Sequence, residues 1–183
     1  MSYPIREVKM NARLIVLGTA ALAMWAAPAH GQRLGLAVGA NMPTSTLDET
    51  HDAGFHGVVS VEMSSPGSAI GFRPEVAWYQ FGGEGSIGSL RSLAATANIT
   101  LALPGTSVRP YLIGGVGYYN TKVEDVDADD SFGLNAGVGL NFMLAGRTNA
   151  FVEARMHHVM DGIQRGGDDR NAQFVPISFG IRF

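Results

Sequence analysis

Two short stretches place opposite charges two residues apart: Arg73 and Glu75 in GFRPEVAWYQF (71–81), and Glu153 and Arg155 in AFVEARMHH (150–158). Two is the period of a β-strand, so each pair points to one side of its strand. Carboxylates and guanidiniums gathered in a confined space either line an ion path or neutralise one another as a packed polar filling. The second stretch runs into His157 and His158, which invite a reading as nucleophile and base. A nucleophile needs a base in hydrogen-bond reach and a third group to orient that base. Adjacent strand residues face opposite sides, so these histidines cannot serve one site, and no serine stands two positions from either. VEDVDADD (123–130) offers alternate carboxylates of the kind Ca²⁺ or Mg²⁺ takes. It lacks the glycine and the closing glutamate of an EF-hand loop, and acidic runs of this sort are ordinarily solvated loop tips. GGVG (114–117) precedes tyrosines and an acidic loop rather than a helix, which removes a phosphate-loop reading. No catalytic set, metal site or cofactor is expected.

The elements that must hold these residues alternate with period two along most of the chain. The final segment VPISFGIRF sets Val175, Ile177, Phe179, Ile181 and Phe183 against Pro176, Ser178, Gly180 and Arg182. In SFGLNAGVGLNFML (131–144), Phe132, Leu134, Val138, Leu140 and Phe142 alternate with Gly133, Asn135, Gly137, Gly139 and Asn141. Similar alternation runs through 33–41, 54–63, 70–81, 90–103 and 150–161, while 109–120 carries apolar residues on both faces. The result is eight strands of an all-β chain. Soluble strands cluster near five or six residues, whereas a strand crossing a bilayer at a tilt needs ~9–11; these segments fit the membrane figure. One face is apolar and the other Gly, Ser, Thr, Asn, Arg and Glu. In an eight-stranded antiparallel up-and-down transmembrane barrel the apolar face would meet lipid. Arg73, Glu75, Glu153, Arg155 and Arg182, with Glu62, would then form a charge network filling a narrow interior.

The connections alternate long (42–53), short (64–69), medium (82–89), short (104–108), long (120–130), short (145–149) and long (162–172), with acidic residues confined to the longer set. That is the pattern of extracellular loops and periplasmic turns. Aromatic residues gather toward strand ends, as two interfacial girdles would require. Phe55, Trp78, Tyr79, Phe81, Tyr118, Tyr119, Phe132 and Phe174 lie toward the long-loop end, and Phe72, Tyr111, Phe142, Phe151 and Phe183 toward the other. Pro74, Pro110 and Pro176 stand against the scheme, since a closed barrel has no edge on which to hide a missing N–H donor. Pro176 is expected beside a bulge.

The N-terminus indicates compartment. Arg6, Lys9 and Arg13 precede the uncharged run LIVLGTAALAMWAA (14–27), and Ala27-Pro28-Ala29 offers a cleavage site, as does Ala29-His30-Gly31. The run is short for a membrane-spanning helix, and residues 1–29 are expected to be a secretory signal peptide, with cleavage as late as 31. Met10 is a second possible start. Residues 33–183 then form one domain. With no cysteine there is no disulfide framework, and the net charge of −3, with Lys122 the single lysine after Lys9, argues against nucleic acid.

Through GFRPEVAWYQF, RPYLIGGVGYY, AFVEARMHH and the terminal SFGIRF, the chain resembles the small outer-membrane β-barrel family that includes the OmpA membrane domain, OmpX and the opacity-type proteins. The resemblance covers essentially all of the chain after the signal segment. It implies a bacterial outer-membrane location, contact with membrane lipids and lipopolysaccharide, and a monomer. It also implies that Val175, Ile177, Phe179, Ile181 and Phe183 form the signal read by the outer-membrane assembly machinery. Unlike OmpA, the chain is expected to carry no domain after the barrel. The role expected is non-enzymatic: anchoring acidic loops 42–53, 120–130 and 162–172 toward an extracellular partner, or supporting membrane integrity. The alternatives are a lipid-modifying barrel enzyme and a soluble lipocalin-like carrier of an apolar ligand.

Overall fold

The computed structural model describes residues 31–44, 47, 51–83, 88–123, 129–144, 146, 148–165 and 168–183. Eight strands follow in order: β1 Gln32–Thr44, β2 His51–Ser64, β3 Ile70–Gly83, β4 Leu90–Ala102, β5 Val108–Val123, β6 Asp129–Met143, β7 Asn149–Arg165 and β8 Asp168–Arg182. Each pairs antiparallel with its sequence neighbour, and β8 returns to β1, so the sheet closes into a barrel. The expected signal segment 1–29 and Met10 lie outside the described residues. So do the acidic residues Asp48, Glu49, Glu84, Glu124, Asp125 and Asp127.

The closing seam explains why the apolar alternation persists to the last residue. Partners run from Gly35↔Arg182 to Thr44↔Gln173. A final rung is made by Leu34 and Phe183, each donating its N–H to the other's carbonyl at 2.9 and 3.0 Å. Without it, backbone N–H and C=O groups at the seam would lack partners, a cost of several kcal/mol apiece in hydrocarbon.

Strands of 13 to 17 residues exceed the membrane figure, because pairing continues past the apolar stretch. Asn120 pairs with Asp130 and Thr121 with Asp129, and the β7–β8 ladder reaches Arg165↔Asp168. The connections 42–53, 120–130 and 162–172 therefore contract to 45–50, 124–128 and 166–167. The expected alternation of long and short links disappears with them. Side-chain period marks where a strand is half-buried, whereas the backbone ladder extends wherever two chains run together.

Pro74 and Pro176 are accommodated by skipped rungs, whereas Pro110 pairs with Leu140 and its carbonyl accepts from Leu103 N–H at 2.9 Å. Between β2 and β3 the register passes from Ser60↔Glu75 directly to Met63↔Phe72, leaving Pro74 without a partner on β2. Between β7 and β8 it passes from Ala154↔Ile177 to His157↔Phe174, spanning Pro176. Proline has no N–H to give, so the ladder lapses on one side only; Pro176 still pairs with Asn41 of β1. Contrary to expectation, no bulge sits at Pro176. The β7–β8 irregularity lies further along, between Val159 and Ile163.

Burial settles which face is outside. Val38 is 67 % exposed, Val138 56 % and Phe179 57 %, whereas Arg73 is 1 % and Glu153 2 % exposed. A water-soluble barrel would show the reverse. The apolar residues form an outer belt, and the charged ones fill the interior. A soluble carrier would need an apolar cavity inside, whereas the interior here is filled by charged, polar and aromatic side chains.

Candidate functional site: the filled barrel interior

β3 and β7 each contribute one charged pair to a closed ring. Arg73 Nε lies 2.7 Å from Glu75 Oε1, and Arg73 Nη2 donates to Glu153 Oε2 at 2.6 Å. Arg155 Nη1 donates to Glu75 Oε2 at 2.7 Å, and Arg155 Nε lies 2.8 Å from Glu153 Oε1. Two guanidiniums thus alternate with two carboxylates, and every charge touches two of opposite sign. Removing ions from water costs several kcal/mol each, which such pairing and added hydrogen bonds offset. Tyr111 OH donates to Glu153 Oε2 at 2.6 Å, and Thr96 Oγ1 to Glu75 Oε2 at 3.3 Å. Asn98 Nδ2 donates to the Arg73 carbonyl at 3.0 Å, and Asn135 Nδ2 to Asn98 Oδ1 at 2.9 Å.

Toward the chain termini, Arg182 extends the network. Its Nη1 donates to Asn141 Oδ1 at 2.8 Å and lies 2.9 Å from Glu62 Oε2, and its Nη2 donates to Tyr111 OH at 3.0 Å. The guanidinium lies over the rings of Phe151 at 4.1 Å and Tyr111 at 5.1 Å, so cation–π attraction adds to the ion pair. Three cations and three anions balance inside the described barrel.

Toward the end of the barrel with connections 45–50, 84–89, 124–128 and 166–167, the loop-bearing side, the filling becomes aromatic. His157 Nδ1 lies 2.7 Å from Tyr119 OH, and its imidazole stacks on Phe174 at 4.9 Å. Tyr79 and Phe81 pack edge-on to the same Phe174 at 5.0 and 5.3 Å. Beyond them Leu47, Leu90, Val159 and Ala172 close that end around a void of about 10 Å³, at the lower limit for one water.

The five residues expected in the charge network are all interior: Arg73, Glu75, Glu153 and Arg155 touch one another, and Arg182 reaches them through Tyr111. Of the residues expected at the membrane interface, Trp78 and Phe132 are exposed on the outer face, and Tyr118 and Phe142 are half-buried there. Trp78 packs edge-on to Phe55 at 5.3 Å and Tyr118 to Phe132 at 5.6 Å. Tyr119 is a correction: it is fully buried in the interior. Tyr79, Phe81, Tyr111, Phe151 and Phe174, also expected in the girdles, are interior as well. For Tyr119, Tyr111 and Phe151 the physical reason is room made by glycine. A Cβ at Gly133 would sit 2.9 Å from the Tyr119 ring, and one at Gly117 2.8 Å. A Cβ at Gly139 would collide with the Tyr111 ring, and one at Gly180 would come within 2.5 Å of Phe151. Inward glycines on β5, β6 and β8 are sockets for rings.

The C-terminal residues Val175, Ile177, Phe179, Ile181 and Phe183 all face outward along β8, against interior Pro176, Ser178 and Arg182. His157 and His158 face opposite sides. His157 is buried, while His158 lies on the outer face with Nδ1 2.9 Å from Gln173 Nε2. A pair the sequence did not suggest joins His56 Nε2 to Ser178 Oγ at 2.8 Å, from strands far apart in the chain. It has a nucleophile and a base, but among the described residues His56 Nδ1 has no orienting partner, and both residues are buried. Among the described residues no cluster of three His, Asp or Glu could hold a metal ion. Of the acidic run 123–130, Asp130 accepts from Asn120 Nδ2 at 2.5 Å, and 124–128 lie outside the described residues.

Comparison with solved structures finds the same barrel elsewhere. Neisserial surface protein A (NspA) superposes with a TM-score of 0.69 at 16 % identity, covering 85 % of this chain and 98 % of that one. The N-terminal β-barrel domain of Pseudomonas aeruginosa OprF gives 0.52 at 11 % identity, covering 84 % and 98 %. The outer membrane enzyme PagL gives 0.51 at 16 %, covering 82 % and 98 %. At such identities the likeness is one of fold. Comparison with curated proteins finds no match. Residues 14–183 match the outer membrane protein beta-barrel domain. With its apolar belt outside, its charges balanced within and that match spanning the barrel, this chain belongs to the outer-membrane β-barrel family.

Proposed function

We propose that the protein is a non-catalytic, non-conducting barrel that carries surface segments on the loop-bearing side of the bacterial outer membrane. The filled interior carries this reading. Each charge in the ring is neutralised, and the aromatic layer and the apolar closure around a void of about 10 Å³ beyond it favour a barrel without an ion path and without a substrate cleft at His56 or His157. His158, the outward histidine among the described side chains, has no serine two positions away on its strand. The start of β1 and Phe183 lie at one end of the barrel, so a chain delivered through the inner membrane would leave the opposite end, with segments 45–50, 84–89, 124–128 and 166–167, facing outward. Those segments are where an extracellular partner would bind, in adhesion or recognition, or where the barrel would bear on membrane integrity. Outer-leaflet lipids and lipopolysaccharide surround the belt. Val175, Ile177, Phe179, Ile181 and Phe183 are offered to the assembly machinery before insertion, and the barrel acts as a monomer.

Planar-bilayer recording of the refolded protein tests the closed interior. A flat baseline is expected, and a steady unit conductance would overturn it. Surface placement is tested separately with an epitope inserted at 124–128, which an antibody should reach on intact cells.

A further inference from the structure

Two histidines stand inside the barrel and take no part in the charge ring. His56 of β2 and His157 of β7 are 2 % and 0 % exposed. His56 reaches β8 through Nε2, 2.8 Å from Ser178 Oγ. It does so past Gly39 of β1, where a Cβ would sit 2.6 Å from its Cε1. His157 reaches β5 through Nδ1, 2.7 Å from Tyr119 OH, and lies flat on Phe174 of β8. Tyr79 of β3 touches both, its ring 5.6 Å from each. Asn135 of β6 is the cross-strand partner of His157. Each imidazole thus makes one polar contact through one nitrogen. The other nitrogen, His56 Nδ1 or His157 Nε2, has no partner among the described residues.

A neutral imidazole suits such a place and a protonated one does not, because it carries a full charge and a donor at both nitrogens. The residues packed on the two rings are Gly39, Ser178, Tyr79, Tyr119, Phe174 and Asn135, which offer no carboxylate. The charged groups that act on them are Arg155, two residues from His157 on the same face of β7, and Glu153 beyond it. Glu153 is already held by both guanidiniums of the ring, as is Glu75, and Arg182 is matched by Glu62. Three cations meet three anions there. A proton on either histidine is therefore an unmatched charge beside Arg155, in a space cut off from water.

We propose that His56 and His157 form an acid-operated latch on the loop-bearing half of the barrel. Uncharged, they tie β2 to β8 and β7 to β5 across the interior. Once protonated they repel Arg155 and each other, and the aromatic layer loosens while the turn-bearing end holds. The loss runs with falling pH, since the unfolded chain takes up the protons that the closed barrel refuses. With an ordinary imidazole value of about 6.5 in the unfolded chain, each histidine lowers the folding equilibrium constant about tenfold between about pH 7.5 and 5.5, and the pair about a hundredfold.

Urea unfolding of the full barrel in lipid vesicles at those two pH values, followed by Trp78 fluorescence, reads the change. Wild type should fall about a hundredfold, H56Q about tenfold, and H56Q/H157Q less than about threefold. Each variant is compared with itself at the two pH values, so one that starts less stable still reports. H157F, which keeps a ring on Phe174, should fall about tenfold and serves if the double variant does not fold. H158Q, on the outer face, should match wild type. A wild-type fall below about threefold, or an undiminished fall in H56Q/H157Q or in H157F, overturns the pair as the responsive groups. Hydrogen exchange at the lower pH, corrected for intrinsic rates, then places the loosening. Peptides covering 78–82 and 172–176 should lose at least about tenfold in protection, and those covering 108–112 and 178–183 should keep theirs. Equal loss at both ends overturns the latch as a local device.

Discussion

Replacing Glu153 with Gln removes one of two carboxylates that hold Arg73 and Arg155 and leaves a net positive charge inside the barrel. Glu153 meets Arg73 Nη2 at 2.6 Å, Tyr111 OH at 2.6 Å and Arg155 Nε at 2.8 Å. Stripping one partner from a buried ion pair costs about 3–5 kcal/mol, because the remaining charge is left uncompensated. The amide oxygen still accepts from Arg73 or Tyr111 and returns about 1 kcal/mol. The net expected loss is about 2–4 kcal/mol, read by urea unfolding of the barrel in lipid vesicles with Trp78 fluorescence. The charge-balanced double variant R73Q/E153Q should be more stable than the two single losses add up to, by about 1–3 kcal/mol. A loss below about 0.5 kcal/mol for E153Q, the level of an exposed pair, would refute the ring as a structural unit. So would strict additivity in the cycle.

Val138→Arg on the outer face of β6 should cost about 2–4 kcal/mol in bilayer folding, since Val138 lies midway between Phe132 and Phe142 and meets acyl chains; on a solvent-facing surface it would cost under about 0.5 kcal/mol. Gly139→Ala should cost about 1–3 kcal/mol by forcing the Tyr111 ring out of its socket, and Tyr111→Ala in the same chain should relieve the clash, both measured as unfolding midpoints.

Which face of each strand meets lipid was legible in the sequence wherever the alternation was clean. Residues 131–144 and 175–183 announce their outward residues, and the spacing of Arg73–Glu75 and Glu153–Arg155 places both pairs inside. The partner choice was not legible, because closing the ring depends on the mutual register of β3 and β7, which is set through the intervening ladders. Tyr119 was misplaced for a related reason. Its nearness to a strand end suits a girdle, and only the glycines 117 and 133 around it reveal an inward socket. On β5, with apolar residues on both faces, parity gave no help. Loop lengths were overestimated because polar residues such as Asn120 and Asp130 continue the ladder without the apolar signature of a strand. The His56–Ser178 contact joins strands that meet only through the closing of the barrel around β1, a proximity no local pattern carries.

β3 and β7 are four strands apart in a closed sheet of eight, so they stand on opposite walls. The four-charge ring between them is therefore a cross-brace spanning the diameter. Backbone ladders fix the circumference of such a tube but leave its cross-section free to flatten under lateral pressure from the bilayer. A strut of short, directional contacts at the centre resists that flattening, so the roundness of this barrel is owed to Arg73, Glu75, Glu153 and Arg155 as much as to its strands.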